Sequence, residues 1–299
     1  MTGIRNDLDQ RQVRTNQIRL HVIQAGPEDG GLVILLHGFP EFWWGWRQQI
    51  TPLAEAGYRV IVPDQRGYNE SDKPQGVAAY RLDELAADIV GLIQDYRREK
   101  AAIIGHDWGG VVAWALAIWH PERVERLGIL NVPHPAVMKR TLLRSTEQKI
   151  RSLYALFFQL PFLPEAVLRN NNWELLEKVL RDSSEPGTFS DRDLELYRQA
   201  WWRQGAFTSM LNWYRAVVRF PPRLPSEARV HVPTLMIWGV HDVALSRKMA
   251  QASIELCDRG QLVLFEDATH WVQHERPEKV NRLLIQFLGK GREQIKKDL

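Results

Sequence analysis

The stretch "AAIIGHDWGGVVAWALA", residues 101–117, decides the architecture of this chain. Its opening apolar residues read as a buried strand, the glycines mark a sharp corner, and the apolar run that follows reads as a helix. At the corner, Gly105-x-Asp107-x-Gly109 has the small–x–nucleophile–x–small spacing of a nucleophile elbow. The chain turns so tightly there that the residues flanking the nucleophile must be small. Asp107 is then displayed at a helix N-terminus, where the macrodipole favours an anion. The bare pentapeptide fits equally an aspartate that merely caps the next helix, so its neighbourhood has to decide.

Working outward, apolar runs alternate with helix-period segments, the pattern of a mostly parallel sheet with helices on both faces. A hairpin is expected over residues 11–25. "LVILLHG" (32–38), "YRVIVPD" (58–64), "KAAIIGHD" (100–107) and "VERLGILNV" (124–132) read as strands, and residues 43–57 and 82–99 as helices. Residues 133 to about 227 contain no convincing strand. They hold helical segments, four tryptophans and the proline cluster "FPPRLPSEA". Alternation resumes with strands "PTLMIWG" (233–239) and "QLVLFED" (261–267), and "HERPEKVNRLLIQFLGK" closes as a helix. The economical reading is an α/β domain in two parts, 1–132 and 228–299, carrying an inserted helical cap, 133–227.

The bulk numbers exclude several classes. A hydrophobic content of 44% is enough for a large core, and a net charge of +3 with interspersed signs offers no basic stripe for nucleic acid. A single cysteine, Cys257, excludes an internal disulfide and any CxxC motif. The start "MTGIRNDLDQRQ" is too polar for a signal peptide, and the apolar runs fall short of the roughly 20 residues that span a bilayer. The expectation is a soluble, cytoplasmic protein, monomeric or homodimeric, with no nucleic-acid or membrane partner. "GKGREQIKKDL" reads as a solvated tail.

Two further features give the elbow its context. His37-Gly38-Phe39-Pro40 follows a strand some seventy residues upstream, where such folds supply one backbone N–H of an oxyanion hole; the residue after the nucleophile supplies the other. These are Phe39 and Trp108. Chain order is the second: Asp242 and His270 each follow a strand, completing the order nucleophile, acid, histidine, at strand ends that converge on one crevice.

"HGFPEFWWGWR", "DQRGYNESDKP", "GHDWGG", "WGVHD" and "DATHWVQHERPE" together resemble the epoxide hydrolase and haloalkane dehalogenase branch of the α/β-hydrolases, along nearly the whole chain. Chemistry narrows the substrate independently. Aspartate attacking an acyl carbon would give an unfavourable mixed anhydride, whereas attack on a saturated carbon gives an alkyl ester that water can cleave at the enzyme's own carbonyl. An epoxide leaves as an alkoxide and needs a proton donor, a task that neutral tyrosines suit. "LYALFFQLP" and "LNWYRA" resemble cap segments that contribute a tyrosine pair, which implies that role for Tyr154 and Tyr214. Glu41 matches an acidic residue that in some epoxide hydrolases helps position the hydrolytic water, though a surface or helix-capping glutamate fits equally, and Phe39, Trp108 and Phe158 are expected to line an apolar substrate pocket.

The alternative is a haloalkane or haloacid dehalogenase using the same aspartate. Trp108 matches a halide-binding tryptophan, but the second donor, an Asn after His-Gly, is replaced by Phe39, and the arginine of fluoroacetate dehalogenases by Trp108. A non-catalytic ligand receptor would ordinarily lack one of the three catalytic groups. His270 and His274, four apart, lack the HExxH glutamate and a third ligand, so no metal is expected, nor any organic cofactor.

Overall fold

The computed structural model describes residues 8–225 and 228–289; the tail from 290 onward lies outside them. Eight strands form one sheet: β1 (Asp9–Thr15), β2 (Ile18–Ala25), β3 (Gly31–Leu36), β4 (Tyr58–Pro63), β5 (Ala101–His106), β6 (Val124–Leu130), β7 (Thr234–Gly239) and β8 (Gly260–Phe265). Their order is β1-β2-β4-β3-β5-β6-β7-β8. β1 and β2 form the expected hairpin, β2 runs antiparallel to β4, and every pairing from β4 to β8 is parallel.

The strand sequences are apolar at successive positions because both faces are covered. On β3, Ile34 and Leu36 join the core on one face while Val33 and Leu35 join the core on the other. Against the first face pack α2 (Leu82–Asp95) and α3 (Trp108–Trp119), through residues such as Ile89 and Trp114. Against the second pack α1 (Arg47–Glu55) and the closing helix, through Ile50, Leu53, Leu284 and Phe287.

Between β6 and β7 lie α4 (Pro135–Arg144), α5 (Thr146–Arg151), α6 (Leu153–Phe157), α7 (Leu163–Asp182), α8 (Asp191–Trp202) and α9 (Ala206–Arg219); α7 is broken by non-helical backbone at Asn170–Trp173. After β7 come α10 (Lys248–Ile254), α11 (Val272–Glu275) and α12 (Pro277–Gly289).

Tryptophans fasten the α4–α9 segment over the C-terminal strand ends. Each is large enough to bury substantial area, yet its indole N–H still needs an acceptor. Trp201 donates to the Pro40 carbonyl (2.7 Å) and Trp213 to the Arg66 carbonyl (3.0 Å), while Trp44 in the sheet loops donates to Asp193 of α8 (2.7 Å). Within the segment, buried Arg215 forks onto Glu165 (2.8 and 3.0 Å) and donates to the carbonyls of Phe158 and Leu160. This guanidinium therefore fixes the bend that carries Phe158.

Candidate active site

Asp107 occupies the corner between β5 and α3 with φ 50° and ψ −124°, a conformation that a residue with a Cβ adopts only under strain. The flanking glycines are required by close approach: a Cβ on Gly105 would lie 2.3 Å from the Gly109 carbonyl oxygen, and one on Gly109 would lie 2.1 Å from that of Leu36. Although Asp107 stands at the N-cap of α3, its carboxylate makes no capping bond to that helix. Instead Oδ1 accepts from the Phe39 amide at 2.8 Å. The other oxygen, Oδ2, faces His270 Nε2 at 3.7 Å. The second expected amide, that of Trp108, heads α3, where a backbone N–H has no acceptor within the helix.

His270 and Asp242 meet as chain order predicted. His270 Nδ1 lies 2.7 Å from Asp242 Oδ2, and Asp242 also accepts from the Asn131 amide (2.9 Å) and from the backbone N–H groups of Ala244 and Leu245 (2.8 Å each). Burial opposes its ionisation, but His270 and these donors hold its carboxyl below the ordinary range. For His270 itself burial is again the largest single influence and pushes the imidazole down. The charge and hydrogen bond of Asp242, with the charge of Asp107, outweigh it and raise the group to about 9.

The two tyrosines enter from the overlying helices, Tyr154 on α6 and Tyr214 on α9, with ring centroids 6.0 Å apart. Burial raises both phenols, and the negative charge of Asp107 raises them further. Tyr154 is 40% exposed as a residue, yet its phenol is raised by burial and by the charges of both Asp107 and Asp242. Phe39, Phe158 and Trp108 pack edge-on or tilted around Tyr214, at 5.3, 5.0 and 4.9 Å between centroids. The geometry thus brings together every residue expected at the site except Glu41.

Glu41 is 1% exposed and sits in a ring of donors of its own. Tyr197 Oη (2.8 Å) and His274 Nε2 (2.7 Å) donate to Oε1; His106 Nδ1 (3.2 Å) and the Gln273 amide (3.4 Å) lie against Oε2. Burial favours its neutral form, yet His274 and His106 hold it well below the usual carboxylate range. It reaches the site through His106, whose Nε2 donates to the His270 carbonyl at 2.9 Å. His274 is committed on both nitrogens: Arg47 donates to Nδ1 (2.9 Å), so Nε2 carries the proton given to Glu41. Among the described residues no three His, Cys, Asp or Glu side chains gather as a metal site.

Sequence reasoning missed Asn131 and Tyr197, and gave His106, a family-like residue before Asp107, no role. Asn131 carried a usable signal, a polar side chain at the end of the buried strand β6. The other two carried none, because their partners lie 65 and 156 residues away.

Comparison with known proteins gives the following. The family model described as alpha/beta hydrolase fold matches residues 31–277. The chain is 50% identical over 276 residues to the AB hydrolase superfamily protein YfhM of Bacillus subtilis, covering 92% of this chain and 96% of that one. It is 37% identical over 288 residues to epoxide hydrolase 1 of Caenorhabditis elegans, covering 94% and 70% respectively. A solved structure of Bacillus megaterium epoxide hydrolase in complex with an inhibitor superposes with a TM-score of 0.86 at 29% identity, covering 93% of this chain and 100% of that one.

Proposed function

Because the chain belongs to the alpha/beta hydrolase fold family, and within it is an epoxide hydrolase, we propose that it opens apolar epoxides through a covalent ester on Asp107. The observation that carries this reading is the unequal environment of the two Asp107 oxygens. Oδ1 is already held by the Phe39 amide, whereas Oδ2 faces His270 at 3.7 Å. Oδ2 is the attacking atom. It displaces the ring oxygen from one carbon in line, and a phenol of the Tyr154–Tyr214 pair supplies the proton to the opening alkoxide.

The product of that step is a neutral alkyl ester, which removes the Asp107 charge that helps to keep His270 protonated. The imidazolium gives its proton up to restore the phenol, and the neutral imidazole, still oriented by Asp242, is then the base that takes a proton from water. The resulting hydroxide attacks Cγ of Asp107, the negative charge develops on Oδ1, and the Phe39 and Trp108 amides receive it. Collapse frees the carboxylate and a vicinal diol, so the net reaction adds one water to one epoxide. In this reading residues 133–227 are the cap that closes the cavity, with Phe39, Trp108 and Phe158 as its aromatic lining for an aryl or alkyl group.

The haloalkane or haloacid alternative fits the site less well. A halide needs two free N–H donors. Here the Trp108 indole can serve as one, but Phe39 stands where the second would be and has no side-chain donor. The experiment is to replace His270 by Gln and add a styrene-type epoxide. The account expects the intact mass to rise by the mass of the substrate as the ester accumulates. Turnover should fall by about 10³–10⁴. Lost turnover with no adduct would contradict covalent catalysis.

A further inference from the structure

The α4–α7 region carries an apolar face that this chemistry does not use. Of the sixteen large hydrophobic side chains exposed among the described residues, nine lie between Leu143 and Val167. Single exposed leucines need no explanation, but a concentration of this kind does. Leu143 on α4, Ile150 on α5, Leu153 and Leu156 on α6 and Leu160 just beyond it are all exposed, while Gln148 and Phe158 between them are buried. Phe162, 84% exposed, closes the face with φ at 60°, so backbone strain holds a phenyl ring in solvent. The face includes Tyr154, 40% exposed and one of the two tyrosines at the candidate site.

Cations accompany it. Lys139, Arg140, Arg144 and Lys149 are exposed, and none of them has an ion-pair partner among the described residues. The sole acid in the sequence from 139 to 164 is Glu147, and it is engaged by Arg151 at 2.8 Å.

We propose that this face docks on an anionic lipid surface and that the apolar epoxide enters past Tyr154 from the lipid side. Leucines and Phe162 would enter the boundary of the acyl chains while the lysines and arginines meet the headgroups. A second copy of the chain fits the same face poorly, because a two-fold contact would set the two basic rims against each other. No described helix is long and apolar enough to cross a membrane, so the docking is peripheral, and it departs from the expectation of no membrane partner, which rested on interspersed charge along the chain. Substrate delivery rests on the proposed epoxide chemistry; the docking itself does not.

The test is co-sedimentation of the full chain with phosphatidylcholine vesicles, with and without phosphatidylglycerol, across ionic strength. The expected result is binding to the anionic vesicles alone, released by salt. The double variant Leu156→Glu, Phe162→Glu should lower the bound fraction roughly tenfold or more, with circular dichroism and turnover of a small water-soluble epoxide unchanged. Lys139→Glu with Arg140→Glu should weaken binding without touching the apolar side chains, which keeps the test open should the first variant fail to fold. Absence of wild-type binding to anionic vesicles, or binding that neither variant weakens, overturns the proposal. So does a lipid-free dimer that the Leu156→Glu, Phe162→Glu variant dissolves, since the face then belongs to a second copy. Vesicle binding is read without turnover, so failure of docking and failure of the ester chemistry remain distinguishable.

Discussion

Glu41 and Asp107 are both carboxylates enclosed at the C-terminal ends of the strands, and both stand beside histidines. Glu41 is engaged on both oxygens, by Tyr197 and His274 on one and by His106 and Gln273 on the other. Asp107 has one amide on Oδ1, and on Oδ2 an imidazole at 3.7 Å, beyond hydrogen-bond range. A carboxylate with its lone pairs occupied is a tie between segments. One that is under-bonded keeps a lone pair for attack. The proposed chemistry turns on that difference, with Glu41 as a structural acid and Asp107 as the nucleophile, the Asp107 side chain being 16% exposed against 1% for Glu41.

The comparison can be broken most forcefully at Glu41. Glu41→Gln leaves the His274 side of the ring without its buried charge partner, and should destabilise the fold by about 3–5 kcal/mol in chemical denaturation. Because the Glu41 carboxyl is depressed below its ordinary 4.5, its stabilising effect is present above that pH and is lost as acid protonates it. The variant should therefore lose part of the wild-type acid sensitivity. Single-turnover ester formation at Asp107 should remain within about tenfold of wild type; a larger loss would mean that Glu41 belongs to the chemistry and that the contrast is misdrawn.

A smaller effect is expected across the cavity. Tyr154→Phe or Tyr214→Phe should each slow ring opening by on the order of a hundredfold, as for loss of one oxyanion donor, with hydrolysis of a preformed ester little changed. Rapid-quench measurement of the two steps separates them, and a change within about twofold in ring opening would remove the phenols from the mechanism.

Much of this was legible in the sequence because it was local or ordered along the chain. The glycines around Asp107 report a corner in which any side chain would collide with backbone. Asp242 and His270 were legible because parallel strands deliver their following loops to one edge. The ring around Glu41 was not, since it closes only when α8 and α11 arrive from 156 and 233 residues away. The sequence leaves Glu41 open between positioning water and a capping or surface role; its oxygens are taken up by His106, His274, Tyr197 and Gln273, and His106 links it to His270. Exposed leucines on short helices were invisible for a related reason: in a sequence they look the same as core.

The subtlest expected effect concerns charge. Asp107 helps to raise His270 to about 9, so Asp107→Asn, which mimics the neutral ester, should lower that value. Titration of the His270 ring by NMR in both forms reads the shift directly. An unchanged or higher value in the variant would remove the switch that readies the imidazole to act as base.

The central claim is that Asp107 is itself alkylated and then freed by attack at its own carbonyl carbon. A single turnover in heavy-oxygen water, with enzyme in excess over a styrene-type epoxide and peptide mass analysis of residues around 107, tests it most directly. The account predicts heavy oxygen in the Asp107 carboxylate and none in the diol from that first turnover. Label in the diol with an unlabelled Asp107 would contradict it, because water would then have attacked the epoxide itself.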